Sequence, residues 1–220
     1  MKDWKINSII TLEITDSEIK EFLYDYLSES EKNDFDKMES LLRKKQFLYS
    51  RVLLKYFGSK LLNVDPYTLI IDKEKNGKPY FIDYRDLHFS LSHSDKIIAL
   101  VFSDELIGID IEVKKKRKLS VAKKFFSKSE QNYIFQDESF ANQRFLEIWT
   151  KKEAYIKYLG ESIAYLNNFC VFDLKENLFF SEEADYILSI YTKKQKNDFG
   201  FYRLNEVEYV KKIKEKNKLD

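Results

Sequence analysis

The chain has 220 residues, of which 44% are hydrophobic and 16% aromatic, with 18 Phe and 15 Tyr. That length makes one large domain or two small ones joined, and it buries enough surface to fold without a metal or disulfide staple. Lys+Arg 38 against Asp+Glu 37 gives a net charge of +1, which excludes a whole-protein basic field for gripping nucleic acid but not a local patch. The single cysteine, Cys170, excludes an intrachain disulfide and a multi-cysteine zinc site. Its setting, Phe169-Cys170-Val171-Phe172, reads as an inert buried thiol. No apolar run approaches the ~20 residues of a membrane span. No basic, apolar, small-residue leader opens the sequence. The expectation is therefore a cytoplasmic protein with no membrane partner.

Residues 17–57 read as helical, with Phe22, Leu23, Tyr26 and Leu27 and then Leu48, Val52, Leu53 and Tyr56 at helical spacing. Gly58 is the expected stop. A strand at Leu69-Ile70-Ile71, a turn at Asn76-Gly77-Lys78-Pro79 and a strand at Tyr80-Phe81-Ile82 follow. Residues 87–92 alternate as a half-buried strand, 97–102 form a continuous apolar run, and 106–113 alternate again. A helical stretch over 120–135 contains Ser127-Lys128-Ser129-Glu130, the pattern of a capping box. A strong helix runs from about Phe140 to Leu159 and is closed by Gly160. Strands are expected near 168–174, 186–192 and 199–204, and the charged stretch 211–220 reads as solvated.

Several clusters along this path can carry chemistry. In Gly108-Ile109-Asp110-Ile111-Glu112, residues i and i+2 of a strand share a face. Asp110 and Glu112 then point the same way, about 7 Å apart at Cα, within reach of one hard cation such as magnesium. Gly108 on that face leaves room for a ligand, and the ordinary alternative is two solvated acids. In Trp149-Thr150-Lys151-Lys152-Glu153-Ala154-Tyr155-Ile156-Lys157, Glu153 and Lys157 stand at i and i+4. They are either a surface pair or a third carboxylate with a phosphate-binding lysine. Ser92 and His93 lie in a hydroxyl-rich strand end suited to phosphate or to local turn bonding. Lys78 tips a tight turn. Arg43-Lys44-Lys45, with Arg51 beyond, is either a solvated helix face or an anion site.

The order and spacing of Lys78, Ser92-His93, Gly108-Ile109-Asp110-Ile111-Glu112, Phe125-Phe126-Ser127-Lys128-Ser129-Glu130 and the segment 149–157 resemble one family. It is the 4′-phosphopantetheinyl transferases, in their two-lobed surfactin-synthetase-activating (Sfp-like) type. The resemblance runs from about Lys44 to Phe172. It implies an α+β fold of two pseudo-symmetric lobes, 1–105 and 106–220, with the active site in the cleft between them, and a monomer. It implies transfer of the phosphopantetheine arm of coenzyme A to a serine of an apo carrier protein, with release of adenosine 3′,5′-bisphosphate. By the same likeness Asp110, Glu112 and Glu153 hold magnesium, Lys157 contacts phosphate, and Glu153 or a metal-bound water removes the serine proton. Lys78, Ser92, His93 and Lys45 bind the nucleotide and its 3′-phosphate, and Glu130 is a motif acid near the metal. The chain carries Lys44-Lys45-Gln46 where relatives often carry arginines, which replaces a bidentate fork by a point charge. Rival readings are a non-enzymatic binder of carriers or nucleotide, a magnesium phosphohydrolase, and a nucleic-acid module resting on the basic run 114–118.

Overall fold

The computed structural model describes residues 5–193 and 199–216. Strand β1 (Ser8–Glu13) opens the chain. Its Ile9, Ile10 and Leu12 are fully buried, so the strand lies covered on both faces. A short 3-10 turn over Glu21–Tyr26 leads to helix α1 (Glu29–Asp36) and the long helix α2 (Leu41–Leu62). The expected helical region 17–57 is thus three pieces. Gly58 does not end the last of them: α2 runs on to Leu62 and stops at Asn63, which adopts a left-handed conformation. Gly58 instead serves packing, because a Cβ there would sit 2.9 Å from the Phe81 ring.

Strands β2 (Ile71–Lys73) and β3 (Pro79–Phe81) form a small hairpin, turned at Gly77 with φ of 89°. Strands β4 (His88–Ser94), β5 (Ile97–Ser103) and β6 (Ile107–Val113) follow in succession. Next come α3 (Ser120–Phe125), α4 (Lys128–Phe135) and α5 (Ala141–Leu159), the last closed by Gly160 with φ of 74°. The region 168–174, expected as a strand, lies across two 3-10 segments, Ile163–Asn168 and Val171–Asn177. Phe169, Val171 and Phe172 pack into the core of the second lobe from this region, and a short apolar run does not by itself distinguish such a segment from a strand. Strands β7 (Leu178–Glu182), β8 (Tyr186–Thr192) and β9 (Gly200–Asn205) and helix α6 (Glu206–Lys216) complete the chain. The stretch read as a solvated tail therefore folds in part, with Tyr209 and Ile213 of α6 fully buried. Residues 217–220 of that stretch lie outside the described residues.

Two sheets carry the fold, in the orders β4-β5-β1-β9 and β6-β8-β7. Leaving β9 aside, β1, α1, α2, β4 and β5 repeat as β6, α4, α5, β7 and β8, with the same strand order. The repeat extends to side chains. Ser28 and Glu31 form a capping box at α1, and Glu31 pairs with Lys55 of α2 at 3.3 Å. Ser127 and Glu130 form the same box at α4, and Glu130 pairs with Lys152 of α5 at 3.1 Å. The fold is thus α+β with two like lobes. Between them Ile9, Ala99 and Val101 of the first sheet pack on Ile109, Ile111, Leu188 and Ile190 of the second.

Strand β9 breaks the pattern. It pairs in parallel with β1, and its Phe201 lies 5.9 Å from the ring of Phe179 on β7. Tyr209 and Ile213 join the core of the first lobe. Residues 200–216 are therefore built into the N-terminal lobe, where a boundary at 105 had assigned them to the second. The seam between β7 and β1 is filled by β9, whereas the edges of β4 and β6 face each other directly.

Candidate active site

Strands β4 and β6 are joined by serine side chains in place of a backbone ladder. Ser90, Ser92 and Ser94 share one face of β4 by strand parity. Ser90 Oγ accepts from Ile109 N at 3.0 Å, and Ser94 Oγ accepts from Val113 N at 3.2 Å. Ser92 Oγ donates to Asp110 Oδ1 at 2.7 Å, and Ser94 Oγ donates to Glu112 Oε2 at 2.6 Å. The seam is thereby fixed, and with it the two carboxylates of β6. The spacing Ser90-x-Ser92-x-Ser94 was the available signal for it, of which sequence reasoning used only Ser92.

Helix α5 lies over this face of β6 unusually closely. A Cβ on Gly108 would stand 2.0 Å from the carbonyl oxygen of Ala154 and 2.5 Å from the amide nitrogen of Tyr158. The glycine therefore admits the backbone of α5, where the sequence reading had given that space to a ligand. Other residues of the 149–157 segment fix the helix. Trp149 stacks on Phe145 at 5.9 Å between ring centres, and Lys152 is fully buried, donating to the carbonyls of Leu166 and Phe169. That leaves Glu153 and Lys157 turned to the seam.

Lys157 Nζ donates to Asp110 Oδ1 at 2.7 Å and to Ser92 Oγ at 2.8 Å. Asp110 is 4% exposed, and its second oxygen, Oδ2, is buried with no hydrogen-bond partner. Burial pushes the Glu153 carboxyl up to about 7, with the nearby Asp110 and Glu112 charges adding to the rise and Lys157 opposing it. Burial also holds Glu112 above the ordinary carboxylate range, against the hydrogen bond from Ser94 and the Arg117 guanidinium. The three acids thus lie within electrostatic reach of one another. An orphaned carboxylate oxygen beside such neighbours is the donor set of a hard divalent cation, and the residues fit magnesium. No preassembled group of three such ligands occurs among the described residues.

His93 lies at the exposed end of β4, with its imidazole held below the usual value by loss of solvent and by the Lys157 charge. Lys78, from the β2–β3 hairpin, donates to the carbonyl of Tyr158 at 2.9 Å, and burial brings its ammonium down to about 8. It satisfies one of the unpaired carbonyls at the end of α5. Lys78 and Lys157 line one cleft of about 250 Å³ with Asn76, Pro79, Ser90 and Gly160. An adjoining hollow of about 330 Å³ shares Lys78 and is floored by Tyr80, over whose ring the Arg85 guanidinium lies at 3.7 Å. The structure therefore brings together Asp110, Glu112, Glu153, Lys157, Ser92 and His93, with Lys78 in the adjoining cleft that Lys157 also lines.

It does not bring Lys45 or Glu130 to that cluster. Lys45 is 2% exposed and pairs with Glu206 of α6 at 3.0 Å, donating also to the carbonyls of Thr15 and Ser17. Its ammonium fastens helix α6 to α2 and is engaged there, not at the acidic cluster. Glu130 is fully buried and accepts from Ser127 N and Val171 N as well as pairing with Lys152. Glu31, its counterpart in the other lobe, makes the same cap, so Glu130 is a structural acid. Cys170 is half-buried, its sulfur 3.4 Å from Ser129 Oγ, so its burial is only partial.

Comparison with known proteins adds a family to this geometry. Residues 106–203 match the model of the 4′-phosphopantetheinyl transferase superfamily, a span that contains Asp110, Glu112, Glu153 and Lys157. The chain is 30% identical to 4′-phosphopantetheinyl transferase gsp of Aneurinibacillus migulanus over 151 residues, covering 67% of this chain and 62% of that protein. It is 33% identical to 4′-phosphopantetheinyl transferase Sfp of Bacillus subtilis over 118 residues, 53% of each chain. It is 36% identical to 4′-phosphopantetheinyl transferase AcpT of Escherichia coli K12 over 126 residues, 54% of this chain and 60% of that one. The aligned part thus spans a little over half the length of these relatives. Residues 106–203, the part of the chain that carries the acidic cluster, thus belong to the 4′-phosphopantetheinyl transferase superfamily by their match to its model, and the chain is similar to the transferases named above.

Proposed function

We propose that this protein transfers the 4′-phosphopantetheine arm of coenzyme A to a serine hydroxyl of an apo carrier protein, acting as a cytoplasmic monomer. The observation that carries the reading is the cluster of buried Asp110 with half-buried Glu112, Glu153 and Lys157 at the β4–β6 seam, whose Lys157 lines a cleft with a second lysine, Lys78. The catalytic and metal-binding side chains come from the second lobe. The first lobe supplies the coenzyme A side through Lys78, Ser92 and His93.

The reaction forms a bond from the serine oxygen to the phosphorus next to pantetheine. It breaks that phosphorus's bond to the bridging oxygen, which leaves with the electron pair on adenosine 3′,5′-bisphosphate. Asp110, Glu112 and Glu153 would hold magnesium, which when bound supplies charge neutralisation at the pyrophosphate oxygens. Glu153 takes the serine proton. Lys157, held by Asp110 and Ser92, presents a fixed ammonium to the charge growing on the leaving phosphate. Lys78 reaches the same cleft from the hairpin and binds the nucleotide end.

The test is product analysis. With coenzyme A, magnesium and an apo carrier, holo-carrier and adenosine 3′,5′-bisphosphate should form in equal amounts. Release of the nucleotide at an unchanged rate without any carrier would instead indicate a phosphohydrolase.

A further inference from the structure

The basic run Lys114-Lys115-Lys116-Arg117-Lys118 reads as a charged patch, yet one of its members is treated differently from the rest. Lys114 and Lys115 pair outward with Glu182 and Asp95, whereas Arg117, its side chain 35% exposed, reaches Glu112 of the acidic cluster. Asn142, in the first turn of α5, holds the segment from both sides: its Oδ1 accepts from Arg117 N at 2.8 Å, and its Nδ2 donates to the Lys115 carbonyl at 3.1 Å. The Arg117 guanidinium then donates through Nη2 to Glu112 Oε2 and lies 3.5 Å from Ser94 Oγ. Its Nε is buried and has no hydrogen-bond partner. Ser94 and Arg117 therefore converge on the same carboxylate oxygen.

We propose that Arg117 is the permanent counter-cation of Glu112, a positioning residue that sets how tightly the acidic cluster holds a divalent cation. A guanidinium stays charged at any working pH and keeps its fork geometry. Placed on Glu112, it points that carboxylate into the seam and offsets part of its charge. An entering divalent cation then meets a weaker negative field and a like charge a few ångströms away. Repulsion at such a distance in a partly buried setting is far from negligible. Removing the Arg117 charge should consequently tighten cation binding. This inference rests on the reading of Asp110 and Glu112 as metal ligands.

The test uses the full chain and manganese(II) alone, with no coenzyme A or carrier, and follows free manganese by electron paramagnetic resonance. Arg117→Gln should lower the apparent Kd by about five-fold or more, an effect of the size Coulomb's law allows for one lost charge at this range. Arg117→Met is a second charge-free variant, should the first not fold. Arg117→Lys keeps the charge and should stay within about two-fold of wild type. Lys116→Gln removes an exposed charge from the same run and should also stay within about two-fold, because solvent and salt screen it. Asp110→Ala is the control for the site itself and should abolish binding. If Asp110→Ala binds manganese as wild type does, the metal site is wrong and the inference falls with it. If Asp110→Ala loses binding while the charge-free Arg117 variants bind as wild type or more weakly, the metal site stands and the counter-cation is overturned.

Discussion

Gly108→Ala tests how the fold positions the chemistry. The added Cβ would stand 2.0 Å from the Ala154 carbonyl oxygen, where ordinary contact begins near 3.4 Å. The difference, about 1.4 Å, is the distance by which α5 must withdraw from β6 at that point. Both contacting atoms are helix backbone, so no side-chain rotation relieves the clash. Overpacking of this kind costs about 1–3 kcal/mol. The larger effect falls on activity. Glu153 and Lys157 ride on α5 while Asp110 and Glu112 stay on β6, and a displacement of ~1 Å in a reacting constellation costs about 10²-fold. The expected result is a kcat/KM for coenzyme A and apo carrier reduced by about 10²-fold or more, with a folded protein and a modestly lower Tm. Ile109→Val is the comparison: it loses about 0.5–1.5 kcal/mol from the core face of the same strand without touching α5, and should keep near wild-type turnover. A Gly108→Ala enzyme with wild-type kcat would refute the claim that the close approach of α5 sets the site.

Glu153→Gln keeps shape but cannot accept a proton, and kcat should fall by at least about 10²-fold with Tm nearly unchanged; a few-fold loss would remove Glu153 as the base. Because Glu153 titrates at about 7 in the metal-free protein and only carboxylates bind the cation, magnesium affinity should weaken as pH falls below about 7, measured by calorimetry across pH 6–8. Lys78→Ala should raise KM for coenzyme A while kcat changes little, and a penalty that vanishes with the 3′-dephospho form would assign Lys78 to the 3′-phosphate. Glu206→Gln leaves Lys45 buried and unpaired, and should destabilise by about 3–5 kcal/mol without altering the residues of the cleft. The Glu206 carboxyl is brought down to about 2 from 4.5 by hydrogen bonds from Tyr49, Thr15 and Ser17 that outweigh its burial. Its stabilisation is therefore complete above pH 4.5 and lost as pH falls toward 2, so the Tm gap between wild type and Glu206→Gln should close over that window.

The acidic motifs were legible because a strand's two-residue period and a helix's i, i+4 spacing place side chains without knowledge of neighbours. That is why Asp110 with Glu112, and Glu153 with Lys157, emerge from the sequence as pairs. What brings the pairs together is not periodic. It is the contact of Gly108 with the α5 backbone and the serine seam from β4, both between segments far apart in the chain. The pairing of Lys45 was hidden for the same reason. Its basic neighbours suggest a solvated or anion-binding face, whereas its partner Glu206 lies 161 residues away in a stretch that reads as tail. Strand β1 escaped notice because a six-residue strand with its first five residues buried between both neighbouring strands shows little polar alternation. The internal repeat was visible only in hindsight, as Ser28-x-x-Glu31 and Ser127-x-x-Glu130 with a lysine on each long helix. Once seen, it separates the structural acids from the chemical ones, since Glu31 and Glu130 do the same work in both lobes.

The central claim is that the β4–β6 seam carries phosphopantetheinyl transfer. The most direct measurement is the intact mass of a panel of apo carrier proteins after incubation with wild-type enzyme, coenzyme A and magnesium, alongside Asp110→Ala as the paired control. The account predicts one phosphopantetheine added per carrier by the wild type, dependent on both coenzyme A and magnesium, and none added by Asp110→Ala over the same time. No mass gain on fatty-acid, polyketide or peptidyl carriers with the wild type, or an equal gain with Asp110→Ala, would contradict it.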